Sequence, residues 1–381
     1  MYKLPISLQE KLNHRNQENS FRSLSLFQEG VDFYSNDYLG FSRSKTIAEN
    51  ALSFLEENLG WNGSTGSRLI SGTHKLHLEV EEQLAVFHKA EAALLFNSGY
   101  DANVGVFSSM LQKGDVLLFD ELIHASVRDG IRLSTANTYK FKHNNLSDLE
   151  AKLIRWKENA NQLYVAIETV YSMDGDKAPL KDIVDLCKKY NAHLIVDEAH
   201  SGGVYGANGQ GLVCEFGLEA DVFVRVHTFG KALGGHGAVV LGSKMLRDYL
   251  INFSRSFIYT TAIPLHAVAT IKAAYLELGK TNAIEKLRAI ISYFKLQIKE
   301  LQLDDFFIIS DSAIHCCVIS GNTQVKNVAL QIQELGVNVK AVLSPTVPKG
   351  KERLRFCLHA FNTKKEVNLV LNTLVKNLKE A

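Results

Sequence analysis

Hydrophobic positions fall in short continuous blocks through the middle of the chain and in periodic stripes between them. The blocks Ala92–Phe96, Val116–Phe119, Leu163–Ile167, Leu194–Val196, Asp221–Val226 and Val239–Leu241 predict strands. Continuous apolar runs suit strands covered on both faces, as in a parallel sheet. Leu76, Val80, Leu84 and Phe87 share a helical spacing, as do Leu180, Ile183, Val184 and Cys187, and Ala48, Ala51, Leu52 and Leu55. Tyr139 and Phe141 alternate with lysines, the pattern of a half-exposed strand. Strands thus alternate with helices, which predicts an α/β fold: a mostly parallel sheet, right-handed crossovers, and helices on both faces.

The two ends read differently. A charged helical stretch, Leu8–Phe21, closed by Arg22, predicts an N-terminal arm over residues 1–45. Ile284, Leu287, Ile291, Phe294, Ile298 and Leu301 predict a long helix joining a large domain, 46–275, to a smaller α+β domain, 276–381. Residues 306–381 read strand, strand, helix, strand, strand, helix. In RLRFCLH, alternation puts Leu354, Phe356 and Leu358 on one face and Arg353, Arg355 and Cys357 on the other.

Composition removes several classes. The chain has 42 basic and 41 acidic residues, so no global field draws nucleic acid or membrane. No run approaches a membrane span, and MYKLPISLQEK lacks the apolar core of a signal peptide. The five cysteines show no C-x-x-C spacing, so neither a metal site nor a disulfide framework is expected, and free thiols fit the cytoplasm.

The chemistry gathers between His193 and Gly235. HLIVDEAH carries Asp197 at the end of a buried strand, and HTFGKALGG places Lys231 among glycines just after the next strand. Ligands bind at the carboxyl edge of such sheets. A lysine that can form a Schiff base and an acid that can pair with a pyridine nitrogen are the two groups pyridoxal phosphate requires. The same two residues also fit a strand-end acid and an exposed lysine. DEAH is also a magnesium motif of helicase-type ATPases, but no G-x-x-x-x-G-K-[ST] loop lies upstream of it. NSGYDANVGV turns from a strand through Gly99 into a helix start, whose free N–H groups suit a phosphate. His124 falls just beyond a strand, where a structural role and a site role both fit. Arg22 fits a solvated charge. Arg355 fits a surface charge or a two-pronged grip on a carboxylate.

Asp197, Lys231, Gly99 and His124 lie within a series of motifs: SNDYLG (35–40), GSRLISG (66–72), FNSGYDAN (96–103), DELIHAS (120–126), SMDGD (172–176), DEAH (197–200), TFGKALGG (228–235), FIYTTAIP (257–264) and SPTVPKG (344–350). With those motifs in that order, the chain resembles the α-oxoamine synthase family of pyridoxal-phosphate enzymes nearly end to end. The resemblance implies a fold-type-I transferase that works as a homodimer and takes no metal. It implies that Lys231 carries the cofactor and acts as base, that Asp197 pairs with the ring nitrogen, that His200 bonds the ring oxygen, and that His124 stacks on the ring. Gly99, Tyr100, Ser172 and Thr228 would hold the cofactor, with Thr260 and Thr261 reaching its phosphate across the dimer. Arg22, His124 and Thr346 match substrate positions, and Arg355 the arginine that grips the amino-acid carboxylate. GSRLISG and FIYTTAIP look like the branch that joins L-alanine to a pimeloyl thioester, carried by CoA or a carrier protein. The alternatives are the glycine C-acetyltransferase and serine palmitoyltransferase branches. A catalytically silent partner subunit would lack Lys231. Two departures stand out: Leu343, where several members carry arginine, and His227, where members usually carry glycine.

Overall fold

Apolar blocks of three to six residues are too short for a stable helix, and with both faces apolar they must be covered on both sides. The computed structural model describes residues 3–24, 26, 29–57, 61 and 63–379. Asn62 of the glycine-rich loop, and parts of both predicted ends, lie outside them. In chain order the elements are α1 (Ile6–Gln17), β1 (Val31–Asp32), α2 (Lys45–Glu57), α3 (Lys75–Phe87), β2 (Ala92–Phe96), α4 (Gly99–Met110), β3 (Val116–Asp120), α5 (Ala125–Arg132) and β4 (Asn137–Phe141). There follow α6 (Leu146–Trp156), β5 (Leu163–Glu168), α7 (Leu180–Lys189), β6 (His193–Asp197), α8 (Leu212–Glu215), β7 (Val224–Thr228), β8 (Ala238–Gly242), α9 (Lys244–Phe253), α10 (Arg255–Ile258) and α11 (Leu265–Leu278). The last are α12 (Ala283–Glu300), β9 (Ile314–Val318), α13 (Asn322–Gln333), β10 (Val337–Asn338), β11 (Lys340–Val342), β12 (Arg353–Cys357) and α14 (Lys364–Lys379).

Contacts divide the chain into two units. One holds Asn36–Ser172 and Lys177–Ile284, the other Met1–Ser35, Met173–Asp176 and Glu285–Ala381. The expected divisions were at 45/46 and 275/276.

The larger unit is built on a seven-stranded sheet of order β2-β8-β7-β6-β5-β3-β4. Only β8 is antiparallel to its neighbours. Six strands therefore point their carboxyl ends at one edge, and β8 brings its amino end there. The core on one face packs Leu94, Phe107, Leu117, Ile195, Val226 and Val240 together. Two expectations need correction here, and one helix went unread. The strand expected at Asp221–Val226 runs Val224–Thr228, because Glu219–Asp221 forms a single 3-10 turn. The buried stripe of α2 is Ile47, Ala51 and Leu55, while Ala48 and Leu52 face water. Nearly every turn of α11 is buried, so its apolar residues show no one-sided stripe to detect.

In the smaller unit, α1 ends at Gln17, not Phe21, and Asn19 takes a left-handed φ of 49°. Arg22 therefore lies beyond the helix. β1 pairs in parallel with β10, and the Cys357 amide donates to the Phe33 carbonyl at 2.9 Å. A three-stranded antiparallel sheet runs β11-β12-β9. Its order differs from the expected strand, strand, helix: Phe307 makes only an isolated bridge to Cys317, and three strands follow α13. Both faces of β12 are buried, so of the two roles left open for Arg355 the surface charge is excluded, and Arg353 is buried with it. Arg353 is neutralised by Asp174 and also donates to the Met173 carbonyl at 3.2 Å. Arg355 Nη1 contacts Cys357 Sγ at 2.8 Å. All five cysteines are free, and only Cys214 is not fully buried.

Behind the sheet edge of the larger unit sits a buried carboxyl–imidazole pair. His227 Nε2 lies 3.1 Å from Glu198 Oε2, both sealed from solvent. Glu198 Oε1 accepts from Ser201 Oγ at 2.8 Å and from the Val213 amide at 3.1 Å. Arg225 Nη2 donates to the His88 carbonyl at 2.8 Å, and the His88 and His227 rings lie 4.3 Å apart. Burial pushes the Glu198 carboxyl up, but the charge of His227 and its hydrogen bond, with Arg225 and the Val213 amide, carry it below the ordinary value. Such pairs cost several kcal/mol when one partner is removed, because the other stays buried. Replacing Glu198 with Gln is expected to lower stability by about 3–5 kcal/mol in urea unfolding. Since the folded pKa is depressed, the native protein should also lose this contribution as pH falls below the ordinary glutamate value of 4.5, whereas Glu198→Gln should lack that dependence.

Candidate active site

The carboxyl edge of the larger unit's sheet holds a cavity of about 240 Å³. β2 leads into it through Ser98, Gly99 and Tyr100, β3 through His124, β5 through Glu168, β6 through Asp197 and Ala199, and β7 through Thr228, Gly230 and Lys231. Asn103, Ser126, His236 and Gly237 complete the lining.

Two polar chains converge there. Lys231 Nζ lies 2.9 Å from His200 Nε2, and His200 Nδ1 lies 2.7 Å from the buried Tyr38 hydroxyl. Asp197 Oδ2 accepts from Asn103 Nδ2 at 2.8 Å, and Oδ1 from the Ala199 amide at 2.9 Å. The carboxylate is thereby fixed in orientation as well as position. Asn103 also donates to Ser126 Oγ at 3.0 Å, and Ser126 contacts His124 Nδ1 at 2.7 Å. His124 caps α5 and keeps an open ring face. The protein around it still withdraws the ring from bulk water. That, with the charge of Lys231, holds its pKa below the ordinary imidazole value against the pull of Asp197 and Asp129.

The amino end of α4 forms the floor. Ser98 caps it, its side chain accepting from the Asp101 amide at 3.0 Å, and free N–H groups of the first turn suit an anion. Gly99 is required by space: a Cβ there would meet Thr228 Cγ2 at 2.4 Å. Tyr100 directs its hydroxyl to Asp129 at 2.8 Å. Among the described residues, Thr228 Oγ1, Asn103 Oδ1 and Glu168 Oε1 are buried without a hydrogen-bond partner, which is costly unless a ligand supplies one. An amine, an oriented carboxylate, a helix amino end and orphaned polar atoms match the aldehyde, ring nitrogen, phosphate and ring substituents of pyridoxal phosphate. The residues fit that group.

The cavity thus gathers Lys231, Asp197, His124, Gly99, Tyr100 and Thr228, with His200 directly behind Lys231. Ser172, Thr260 and Thr261 are not in its lining. Asn97 Nδ2 donates to Thr260 Oγ1 at 3.0 Å and to the Thr261 carbonyl at 2.8 Å. In the smaller unit, Arg22 Nη2 donates to Thr346 Oγ1 at 3.2 Å, so two residues 324 positions apart meet each other. Tyr38, Asn103, Ser126 and Glu168 were not foreseen as site residues. Asn103 had a signal, since it lies one helical turn beyond Gly99 on the same face. Tyr38 had none beyond its motif, because its partner His200 is 162 residues away.

Comparison with known proteins agrees with this geometry. Residues 28–374 match the family described as aminotransferase class I and II. The 8-amino-7-oxononanoate synthase of Emericella nidulans is 43% identical, over 97% of this chain and 94% of its own length. Serine palmitoyltransferase from S. paucimobilis, solved with a bound pyridoxal-phosphate–myriocin adduct, superposes with a TM-score of 0.87 at 28% identity, covering 98% of this chain and 97% of that one. The 8-amino-7-oxononanoate synthase from Francisella tularensis superposes at 0.78 with 28% identity, over 92% and 98%. Among the described residues no helix is long and apolar enough to cross a membrane. The chain belongs to the class I and II aminotransferase family, and within it to the pyridoxal-phosphate-dependent 8-amino-7-oxononanoate synthases.

Proposed function

We propose that this chain condenses L-alanine with a pimeloyl thioester, releasing carbon dioxide and the free thiol and giving 8-amino-7-oxononanoate for biotin synthesis. The observation that carries the reading is the meeting of Lys231, backed by His200 and Tyr38, with Asp197, fixed by Asn103, in one cavity. The relatives' names support the substrate pair.

Pyridoxal phosphate, when bound, supplies an aldehyde that captures amines and a ring that accepts the electron pair left at Cα. The protein's own part is positional and electrostatic. Lys231 holds the cofactor at rest, and its freed amine takes the proton from the alanine Cα and returns one to the product. His200 sets the direction of the Lys231 amine, and Tyr38 fixes the tautomer and tilt of His200 by occupying its other nitrogen. Asp197 keeps a negative charge beside the ring nitrogen. His124 covers the ring as a neutral imidazole. The amino end of α4, Thr228 and Ser172 take the phosphate and ring substituents. Arg355 and Arg22, with Thr346, bind the substrate carboxylate and acyl chain; Leu343 removes one cation from that group. Thr260 and Thr261 complete the phosphate site from the second subunit of a homodimer. The free cysteines suit a reducing cytosol.

Lys231→Ala is expected to bind pyridoxal phosphate without covalent attachment and to lose at least about a thousandfold in turnover, the scale of a lost base. Thiol release measured at saturating substrate checks this, and near-normal release would contradict it. Asp197→Asn should slow exchange of the alanine Cα proton by about a hundredfold or more, because the ring nitrogen loses its charge partner. Exchange followed by NMR in deuterated water decides it.

The substrate assignment has its own test. With alanine, glycine or serine offered against pimeloyl-CoA, acetyl-CoA and palmitoyl-CoA, kcat/KM is expected to be highest for alanine with the pimeloyl thioester, by about tenfold or more. A glycine–acetyl or serine–palmitoyl optimum would move the chain to a different branch.

A further inference from the structure

Glu168 ends β5 and lines the cavity, but the reaction outlined above assigns it nothing. It is 2% exposed. The register of β5 and β6 sets it directly beside Asp197. Its carboxyl accepts a hydrogen bond from the His124 backbone amide. Its Oε1 is buried and has no partner among the described residues. The groups that face it are Asp197 on β6, Asp120 at the end of β3, Tyr171 in the loop after β5, and Lys231 after β7. Two of these four are carboxylates and Tyr171 is a phenol that burial keeps neutral, and the Asn103 amide is already committed to Asp197 and Ser126. A second carboxylate charge here would have the His124 amide as its donor and none at Oε1.

We propose that Glu168 stands in the resting site as a neutral carboxylic acid whose O–H donates a hydrogen bond to the ligand bound in this cavity. Oε1 meets no hydrogen-bond partner among the described residues, and it lines the cavity, so a bound ligand is the group this O–H would engage. Burial first, and then the charge of Asp197, push the carboxyl up to about 8, against the pull of Lys231 and the His124 amide. A neutral acid at this place leaves Asp197 as the negative charge facing the ring nitrogen, with no competing anion at its side. Glu168 is a positioning and electrostatic residue, distinct from the base.

The inference rests on the proposed binding of pyridoxal phosphate, and the test separates the two. The full-length protein, freed of cofactor, is titrated with pyridoxal phosphate from about pH 6.5 to about pH 9.5, a range spanning the raised carboxyl value. The parent's affinity is expected to fall as pH rises through about 8, where the acid ionises beside Asp197. Glu168→Gln keeps a donor that cannot ionise. It should bind within about twofold of the parent at neutral pH and lose that fall. Glu168→Leu keeps neutrality but has no donor, and should bind about tenfold more weakly, the scale of one hydrogen bond left unmade. An infrared difference spectrum of the parent at neutral pH should show a protonated carboxyl band that disappears in Glu168→Gln, and this reads the charge state even if the Leu variant fails to fold. The inference is overturned if Glu168→Gln binds at least tenfold more weakly at neutral pH, if its alkaline fall equals the parent's, if Glu168→Leu binds as well as Glu168→Gln, or if the band is absent. If the parent binds no pyridoxal phosphate at any pH, the functional reading fails, and this inference with it.

Discussion

Glu168 and Asp197 lie side by side at the ends of neighbouring strands, with Lys231 beyond the next. Adjacent strands are about 4.8 Å apart, so two carboxylate charges there repel by about 3 kcal/mol at an effective dielectric of about 20. That is roughly two pKa units, enough with burial to keep one of the pair protonated. The fold resolves the conflict by unequal solvation. Asp197 receives the Asn103 amide and a backbone N–H on its two oxygens, while Glu168 is more deeply buried and receives the His124 amide with its Oε1 left unpartnered. The rest of the site is arranged around the single charge that results. An amine that must shed a proton, a ring that must keep one, and an imidazole held neutral all depend on where that charge sits.

The sheet makes this possible through direction. Because β8 alone runs against its neighbours, six strands deliver their carboxyl-end residues to one edge. The following loops then need only one to three intervening residues to place Gly99, His124, Ala199 and Lys231 around a common space. Stiffness comes from behind. The Glu198–His227 pair ties the residue after Asp197 to the residue before Thr228, and Glu198 also anchors Ser201 and Val213 on either side of the loop that follows His200. His227 supplies the imidazole of that buried pair.

Much of this could be read before any coordinates. Strands β2, β3, β5, β6 and β8 are apolar runs whose ends are marked by glycine or an acid, so their positions follow from composition alone. Asp197 was legible for the same reason, as the polar residue at the end of such a run, and Lys231 as a lone lysine among the glycines of TFGKALGG. What escaped depends on neighbours in space. Glu168 was visible as a strand end, but its importance comes from lying in register with Asp197, which requires knowing that β5 and β6 pair. Tyr38 acts only through His200. β7 was displaced because Arg225 and His227 are buried polar residues inside a strand, satisfied by His88 and Glu198 rather than by water. α11 carries apolar residues all round and shows no stripe, and β10 and β11, of two and three residues, are too short to leave a pattern.

The central claim is that Lys231 is the residue to which the aldehyde of pyridoxal phosphate attaches. Incubating the protein with that cofactor, reducing with borohydride and mapping the peptides by mass spectrometry tests it most directly. A single modified peptide carrying the cofactor on Lys231 is the expected result. No modification, or modification spread over surface lysines such as Lys89 or Lys189 with Lys231 untouched, would contradict the account.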